Sequence, residues 1–207
     1  MKMRSSLLLL ALLLPRCTMA SYEEPEYSVI QRGEAWEVRQ VQAYTIAEIH
    51  VDASFEKAGR EAFRPLVRYI GGANETGRKM AMTTPVEQRG QVLGKGGPEL
   101  SRPSSKGGHD VAFVLPLGVA VEDAPKPKDE RIHLRRMAER TVAVLRYSGT
   151  WSRARYEDHE RRLLDAIASS SEWSVDGDPV WARFNDPFTL WFLRRNEVQI
   201  PVVKSES

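Results

Sequence analysis

The hydrophobic period of the chain changes from two residues to about 3.6 residues at two places, in the same order each time. Apolar and polar residues alternate over residues 44–51, and apolar residues then recur at helical spacing over residues 55–70. Residues 141–147 alternate in the same way and precede a second helical stretch at about residues 151–169. Equivalent positions are separated by the same 96 residues: Thr45 and Thr141, Ala47 and Ala143, Phe55 and Trp151. This spacing indicates two copies of one supersecondary unit.

Further strand signals follow each predicted helix. Residues 79–82 lead to a short segment at 85–86 and to an apolar strand at 111–115, whereas 180–184 and 197–203 follow the second helix. The order strand, helix, strand, strand therefore occurs twice, which predicts an α+β fold with helices on an antiparallel sheet. The composition, 42% hydrophobic and 28% charged, is that of a folded globular protein.

Two segments between the predicted elements are typical of connections. Six of the fourteen glycines lie between Gly90 and Gly108, so residues 90–110 are expected to form a flexible loop. The prolines of residues 123–129 predict a stiffer connector between the two half-repeats. Residues 21–207 are thus expected to form a single domain.

Residues 1–20 have the pattern of a cleaved secretory signal peptide. Lys2 and Arg4 precede the apolar run 7–14, and a small-residue stretch ends at Ala20. The run is shorter than the roughly 20 residues of a membrane helix, so no stable membrane insertion is expected. The protein is therefore predicted to be exported, to a bacterial periplasm or to the cell exterior. The alternative is a lipid anchor on Cys17, the only cysteine.

The positive net charge of the chain, +2, arises from the predicted signal peptide. Three of the 30 basic residues and none of the 28 acidic residues lie in residues 1–20, so the mature chain would be nearly neutral. The arginines of residues 153–162 are interleaved with acids, which is typical of a solvated helix face. Neither feature suits a nucleic-acid partner, and none is predicted.

Catalytic motifs are weak throughout the sequence. His159-Glu160 begins like a zinc-protease helix, but Leu163 occupies the position of the second histidine. No Gly-x-Ser-x-Gly elbow occurs, and the four histidines are scattered singly. One enzymatic alternative stays open, in which Glu48 is a buried general base acting on a small ligand.

The first predicted helix and the segment after it favour a binding surface. Apolar residues could accept a flat molecule, methionines could adapt to its faces, and cations could pair with its carboxylates. The candidate binding residues are Phe63, Leu66, Ile70, Arg60, Arg64, Arg78, Lys79, Met80 and Met82. The alternative is that this apolar stripe only packs on the sheet.

Several segments, in this order, resemble the SOUL family of haem-binding proteins. They are Trp36-Glu-Val-Arg39, the 55–70 helix with its Gly-Gly stop, Lys79-Met-Ala-Met-Thr-Thr-Pro-Val86, Phe113-Val-Leu-Pro116, Pro125-Lys-Pro127, Val142 to Trp151 and Arg194-Arg-Asn-Glu-Val198. The resemblance covers Tyr22 to Val203. It implies a distorted antiparallel β-barrel with two long helices, built from a duplicated unit. It also implies a non-covalent haem or porphyrin in an apolar cleft at the first helix, with basic side chains near the propionates.

One position departs from the family pattern. Some members have a histidine after the Trp-Glu-Val-Arg segment that is proposed as an axial iron ligand, and Gln40 occupies that position here. An amide is a poor ligand for haem iron, and His50 is only a weak substitute because nothing places it beside the helix. We therefore expect tetrapyrrole binding without a strong axial ligand. The predicted function is an exported carrier, scavenger or buffer of tetrapyrroles without catalysis. The alternatives are a small-molecule-processing enzyme and a generic effector-binding module.

Overall fold

The computed structural model describes residues 22–90 and 108–205. In that part of the chain, ten strands form one curled antiparallel sheet, and two long helices pack on one of its faces. The predicted signal peptide and Cys17 lie outside the described residues, as do residues 91–107 of the predicted flexible loop.

The elements follow one another along the chain in the order that the repeat predicts. The strands are β1 (Tyr27–Arg32), β2 (Glu37–Val41), β3 (Tyr44–Val51), β4 (Val86–Gly90), β5 (His109–Val114), β6 (Ile132–Met137), β7 (Arg140–Tyr147), β8 (Trp173–Val175), β9 (Val180–Arg183) and β10 (Asn196–Lys204). The helices are α1 (Phe55–Ile70) and α2 (Arg153–Ser170), with a short 3₁₀ helix at Trp191–Leu193. The predicted α+β fold, a distorted antiparallel barrel with two long helices, is confirmed, and its sheet curls into a half-barrel.

The two half-repeats exchange a strand. The sheet order is β1-β2-β7-β10-β9-β4-β5-β3-β6, with β8 paired to the end of β10. In the first half β3, β5 and β4 are neighbours, and in the second half β7, β10 and β9 are neighbours. However, β2 precedes β3 in sequence and pairs with β7, whereas β6 precedes β7 and pairs with β3. Each half is thus completed by a strand from the other.

The apolar stripe of α1 explains its position on the sheet. Ala58, Ala62 and Leu66 recur at helical spacing and are fully buried against a cluster that includes Phe113. The helix ends where predicted, because the Gly71 and Gly72 amides donate to carbonyl oxygens of the last helical turn. Helix α2 packs through its own buried residues on β7 and β10.

The opposite face of the sheet carries a buried ionic network. The residues that alternate with the apolar positions of β2 and β10 point to this face. Fully buried Glu197 accepts hydrogen bonds from Arg39 at 2.9 and 3.2 Å and from Arg195 at 2.8 and 3.0 Å. Arg195 also donates to Glu24, at 2.8 and 2.9 Å. Two of the motifs that carry the family resemblance therefore meet in a structural ion cluster.

Neither α1 nor α2, the long helices of the described residues, is sufficiently long and apolar to cross a membrane.

Candidate functional site

A groove of about 500 Å³ lies beside the C-terminal half of α1. Its volume falls within the roughly 300–1,000 Å³ of typical small-molecule sites. A second cavity, on the opposite sheet face, measures only about 20 Å³ and is thus far smaller than the groove. The groove is lined by Glu61, Arg64, Pro65, Arg68, Tyr69, Ala73, Lys128, Asp129, Arg131 and Ile132.

Three segments form the walls of this groove, and the first of them is distant in sequence from the other two. Helix α1 supplies one wall, and its Pro65 leaves the carbonyl oxygen of Glu61 without the usual helical donor. The connector supplies a second wall, held to the helix end because the Glu75 amide donates to the Lys126 carbonyl and Asn74 bridges to Pro127. The start of β6 supplies the third wall.

Buried Asn74 fixes the turn between the helix and the connector. Its side-chain amide donates to the carbonyl oxygens of Tyr69 and Arg78, and its oxygen accepts from the Arg78 amide. All the polar atoms of this side chain are thereby engaged, so the position of the groove wall is well defined.

The charge of the groove is positive. Arg131 is held by Asp129 at 2.7 Å, so these two charges compensate each other. Arg64, Arg68 and Lys128 form no salt bridge with any carboxylate in the described part of the chain. These three cations face solvent around an apolar floor, an arrangement suited to a flat apolar molecule with carboxylates at its edge.

Of the His, Cys, Met and Tyr side chains that usually bind haem iron, only Tyr69 lines the groove. Its hydroxyl donates to the Pro125 carbonyl at 2.8 Å, and burial raises the pKa of Tyr69 to about 12. The phenol is therefore protonated and engaged at neutral pH. No group of three or more His, Cys, Asp or Glu residues suited to a metal ion occurs within residues 22–90 and 108–205.

The predicted site residues do not form a single cluster. Arg64 lines the groove, and Arg60 lies on the solvent-exposed side of α1. Leu66 and Ile70 are buried between helix and sheet, as the packing alternative predicts for them. The other predicted residues lie on the opposite flank of α1 or in the exposed segment after it: Phe63, Met80, Met82, Arg78 and Lys79.

The flank of α1 away from the groove holds the aromatic and methionine residues. Phe63 is 41% exposed and packs edge-on against Phe113 at a centroid distance of 5.6 Å. Met80 and Met82 pack, half-buried, against the same core cluster. The structure therefore places the predicted apolar residues and the predicted cation Arg64 on different sides of one helix.

Small residues in α1 also have a structural role. A side chain at Gly59 would collide with the Arg183 guanidinium, which lies 2.5 Å from the position of a Cβ atom. Burial lowers the pKa of Arg183 to about 10, and its guanidinium donates to Gln88. Gly59 thus accommodates an internal cation rather than an approaching ligand.

Neither predicted iron-ligand position lies in the groove. The Gln40 amide donates to Glu139 at 2.8 Å, and its oxygen accepts from Thr141 at 2.8 Å. His50 lies on the sheet face opposite α1, between Asp110 at 2.7 Å and Asp52 at 3.2 Å.

Sequence reasoning did not identify Lys128, Tyr69 and Ile132 as neighbours of Arg64. Arg68 was recognisable, because it follows Arg64 by one helical turn. The connector and β6 reach the helix through the pairing of β6 with β3 and through the contacts of Asn74 and Glu75 with the connector, and no local pattern reveals these long-range contacts.

The pairing of His50 makes stability depend on pH. Partial burial lowers the pKa of His50, but hydrogen bonds to Asp110 and Asp52 outweigh burial and raise it above the usual 6.5. This stabilisation is complete below about pH 6.5 and is lost as the pH rises through the folded-state pKa. We expect the thermal midpoint of the wild-type protein, relative to that of His50→Asn, to be higher at pH 5.5 than at pH 8. Equal differences at the two pH values would contradict this assignment.

The Glu48 carboxylate is engaged by two guanidinium groups. Arg89 donates to it at 2.8 Å, and Arg135 donates to both oxygens at 2.9 and 3.1 Å. Both oxygens of the carboxylate are thus engaged by guanidinium groups within the sheet, and this arrangement gives no support to a general base at this position.

The curled sheet and its first helix thus leave an open groove whose volume is in the range that small-molecule ligands occupy. The chain belongs to the SOUL heme-binding protein family, which matches residues 22–201. The predicted family is thereby confirmed, and the expected class of cofactor, a non-covalent haem or porphyrin, agrees with it.

Known proteins resemble the chain in sequence and in fold. Heme-binding protein 1 of Xenopus tropicalis is 24% identical over 185 residues, which cover 84% of this chain and 93% of that protein. Heme-binding protein 1 of Bos taurus is 26% identical over 183 residues, covering 86% and 91%. The EcmrR C-terminal domain has a TM-score of 0.57 at 10% identity and covers 86% of this chain and 99% of that domain. The last similarity concerns the fold alone.

Proposed function

We propose that the protein binds haem or a related tetrapyrrole non-covalently in the groove beside α1. Membership of the SOUL heme-binding protein family over residues 22–201 is the observation that carries this proposal. The curated relatives named Heme-binding protein 1 support the same class of ligand.

The groove residues fit such a ligand. Pro65, Tyr69 and Ile132 offer apolar contacts for a macrocycle, whose burial contributes about 25 cal/mol per Å² before ordering costs are subtracted. Arg64 and Arg68, one turn apart, offer guanidinium groups to propionates. When the ligand is haem, the iron is part of the ligand. The named groove residues would bury the macrocycle and orient its carboxylates.

The biological role that follows is an exported carrier, scavenger or buffer rather than an enzyme. The leader pattern of residues 1–20 supports export, to a periplasm or the cell exterior, with lipid attachment at Cys17 as the alternative. The absence of a catalytic motif in the sequence and the engaged state of Glu48 favour binding over catalysis.

Titration with hemin and with protoporphyrin IX tests the proposal. Because Tyr69 is protonated and Gln40 and His50 lie elsewhere, we expect the two dissociation constants to agree within about threefold, or less than 1 kcal/mol. The change in the Soret band measures both. Failure of both ligands to bind would overturn the proposed function. A large preference for hemin would leave the ligand class intact but contradict binding without an axial ligand.

A further inference from the structure

The loop between β9 and β10 exposes a cluster of large apolar side chains. We define the apolar loop as residues 186–195. Five of its side chains are more than half exposed: Phe188, Leu190, Trp191, Phe192 and Leu193, with Phe188 reaching 92%. Every other exposed large apolar side chain in the described part of the chain is less than half exposed. Such a concentration marks an interaction surface.

The backbone of the apolar loop is fixed by its own polar residues. The Asp186 carboxylate accepts from the Phe188 and Thr189 amides at 2.8 and 2.9 Å. The Arg194 guanidinium donates to the carbonyl oxygens of Pro187 and Thr189, both at 2.8 Å. The loop therefore satisfies these polar groups internally while it directs its apolar side chains outward. A segment that enters a lipid bilayer must satisfy its polar groups in this way, because the bilayer offers no water to bind them.

Positive charge borders the base of the apolar loop. The Arg194 guanidinium lies 4.2 Å from the centre of the Trp151 ring, and none of the described carboxylates is in salt-bridge range of it. Arg155, which donates to the Ser148 carbonyl near the same tryptophan, is likewise without an ionic partner among the described residues. The one acidic residue of the apolar loop is Asp186, whose carboxylate is bound by the Phe188 and Thr189 amides, and from Pro187 to Leu193 the sequence contains none. This charge pattern complements an anionic surface.

We propose that the apolar loop docks the protein on the surface of an anionic phospholipid bilayer. Trp191 and Phe192 would lie in the interfacial region, where aromatic side chains with apolar bodies are favoured. Arg194 and Arg155 would lie at the level of the head groups. The proposal is independent of tetrapyrrole binding, because it concerns a different surface and is tested on ligand-free protein.

Vesicle co-sedimentation tests the proposal. We expect the ligand-free protein to sediment with vesicles of phosphatidylcholine and phosphatidylglycerol, and at least about tenfold more weakly with phosphatidylcholine alone. The variant Trp191→Ser/Phe192→Ser/Leu193→Ser should bind the mixed vesicles at least about tenfold more weakly than the wild type. The matched control Ile30→Ser/Val175→Ser/Val203→Ser removes three apolar side chains exposed elsewhere and should bind as the wild type does.

Two further measurements separate the bilayer from other partners. Mixed vesicles should shift the tryptophan emission of the wild type to the blue, and Trp191→Phe should reduce that shift. Sedimentation equilibrium should give the same mass for the wild type and the triple loop variant. The proposal is overturned if the wild type does not sediment with mixed vesicles or if the triple loop variant sediments equally well. A wild-type dimer that the triple loop variant abolishes would also overturn it, by assigning the surface to a second copy of the chain.

Discussion

Replacement of Glu197 by leucine should lower the free energy of unfolding by roughly 3–5 kcal/mol. Glu197 is fully buried and accepts hydrogen bonds from both Arg39 and Arg195. Burial raises the pKa of Glu197, but the two guanidinium groups outweigh burial and hold it below its usual value. Leucine would leave both arginines without the carboxylate that they share.

Chemical denaturation at neutral pH measures this effect. Glu34→Leu is the matched control, because Glu34 is exposed in the turn before β2 and its replacement should change stability by less than about 0.5 kcal/mol. The stabilisation by Glu197 should persist above its unfolded-state pKa of about 4.5 and decline as the pH falls through the lower folded-state value. A loss below 1 kcal/mol in Glu197→Leu would show that the ion cluster is not a stabilising element.

Replacement of Ala73 by tryptophan should remove most of the tetrapyrrole affinity. Ala73 is exposed and lines the groove at the junction of α1 and the connector. An indole at this position would occupy space that the macrocycle needs, in a groove of about 500 Å³. We expect the dissociation constant for hemin to rise at least about thirtyfold, which corresponds to about 2 kcal/mol. A Soret-band titration measures it.

The control for this substitution is Ala168→Trp. Ala168 is an exposed alanine on α2 and does not line the groove, so its replacement should leave the titration unchanged. Thermal unfolding of both variants establishes that the fold is retained. Unchanged hemin binding by a folded Ala73→Trp variant would exclude the groove as the site while leaving the family assignment intact.

The local sequence pattern was sufficient to predict the helices and strands whose hydrophobic periodicity is clear. Helix α1 has the predicted bounds because its apolar spacing and its Gly-Gly stop are both encoded within the segment. Helix α2 begins two residues later than predicted, at Arg153, because the backbone of Ser152 is extended and this residue caps the helix. Strand β6 was not predicted. Its sequence, Ile-His-Leu-Arg-Arg-Met, is rich in cations, and the alternation of apolar and polar residues does not continue through it.

The candidate site was predictable only in part. Helical spacing identified Arg64, but it could not separate Phe63 and Arg64 onto two flanks of α1, because that division depends on where the sheet lies. Burial of Leu66 follows from the same tertiary contact. Lys128 and Ile132 join the groove through the path of the connector and the pairing of β6, which are long-range features.

The exchange of β2 and β6 between the half-repeats has a consequence for assembly. Val38 in β2 pairs with Ala143 in β7, so the hairpin of β1 and β2 joins the sheet only when the second half is present. The architecture corresponds to a strand-swapped dimer whose two subunits are joined in one polypeptide. A chain cut in the connector would give two fragments that each lack one strand and hold a strand belonging to the other. Such fragments complete their sheets only by recombining, which makes the protein a natural system for fragment complementation.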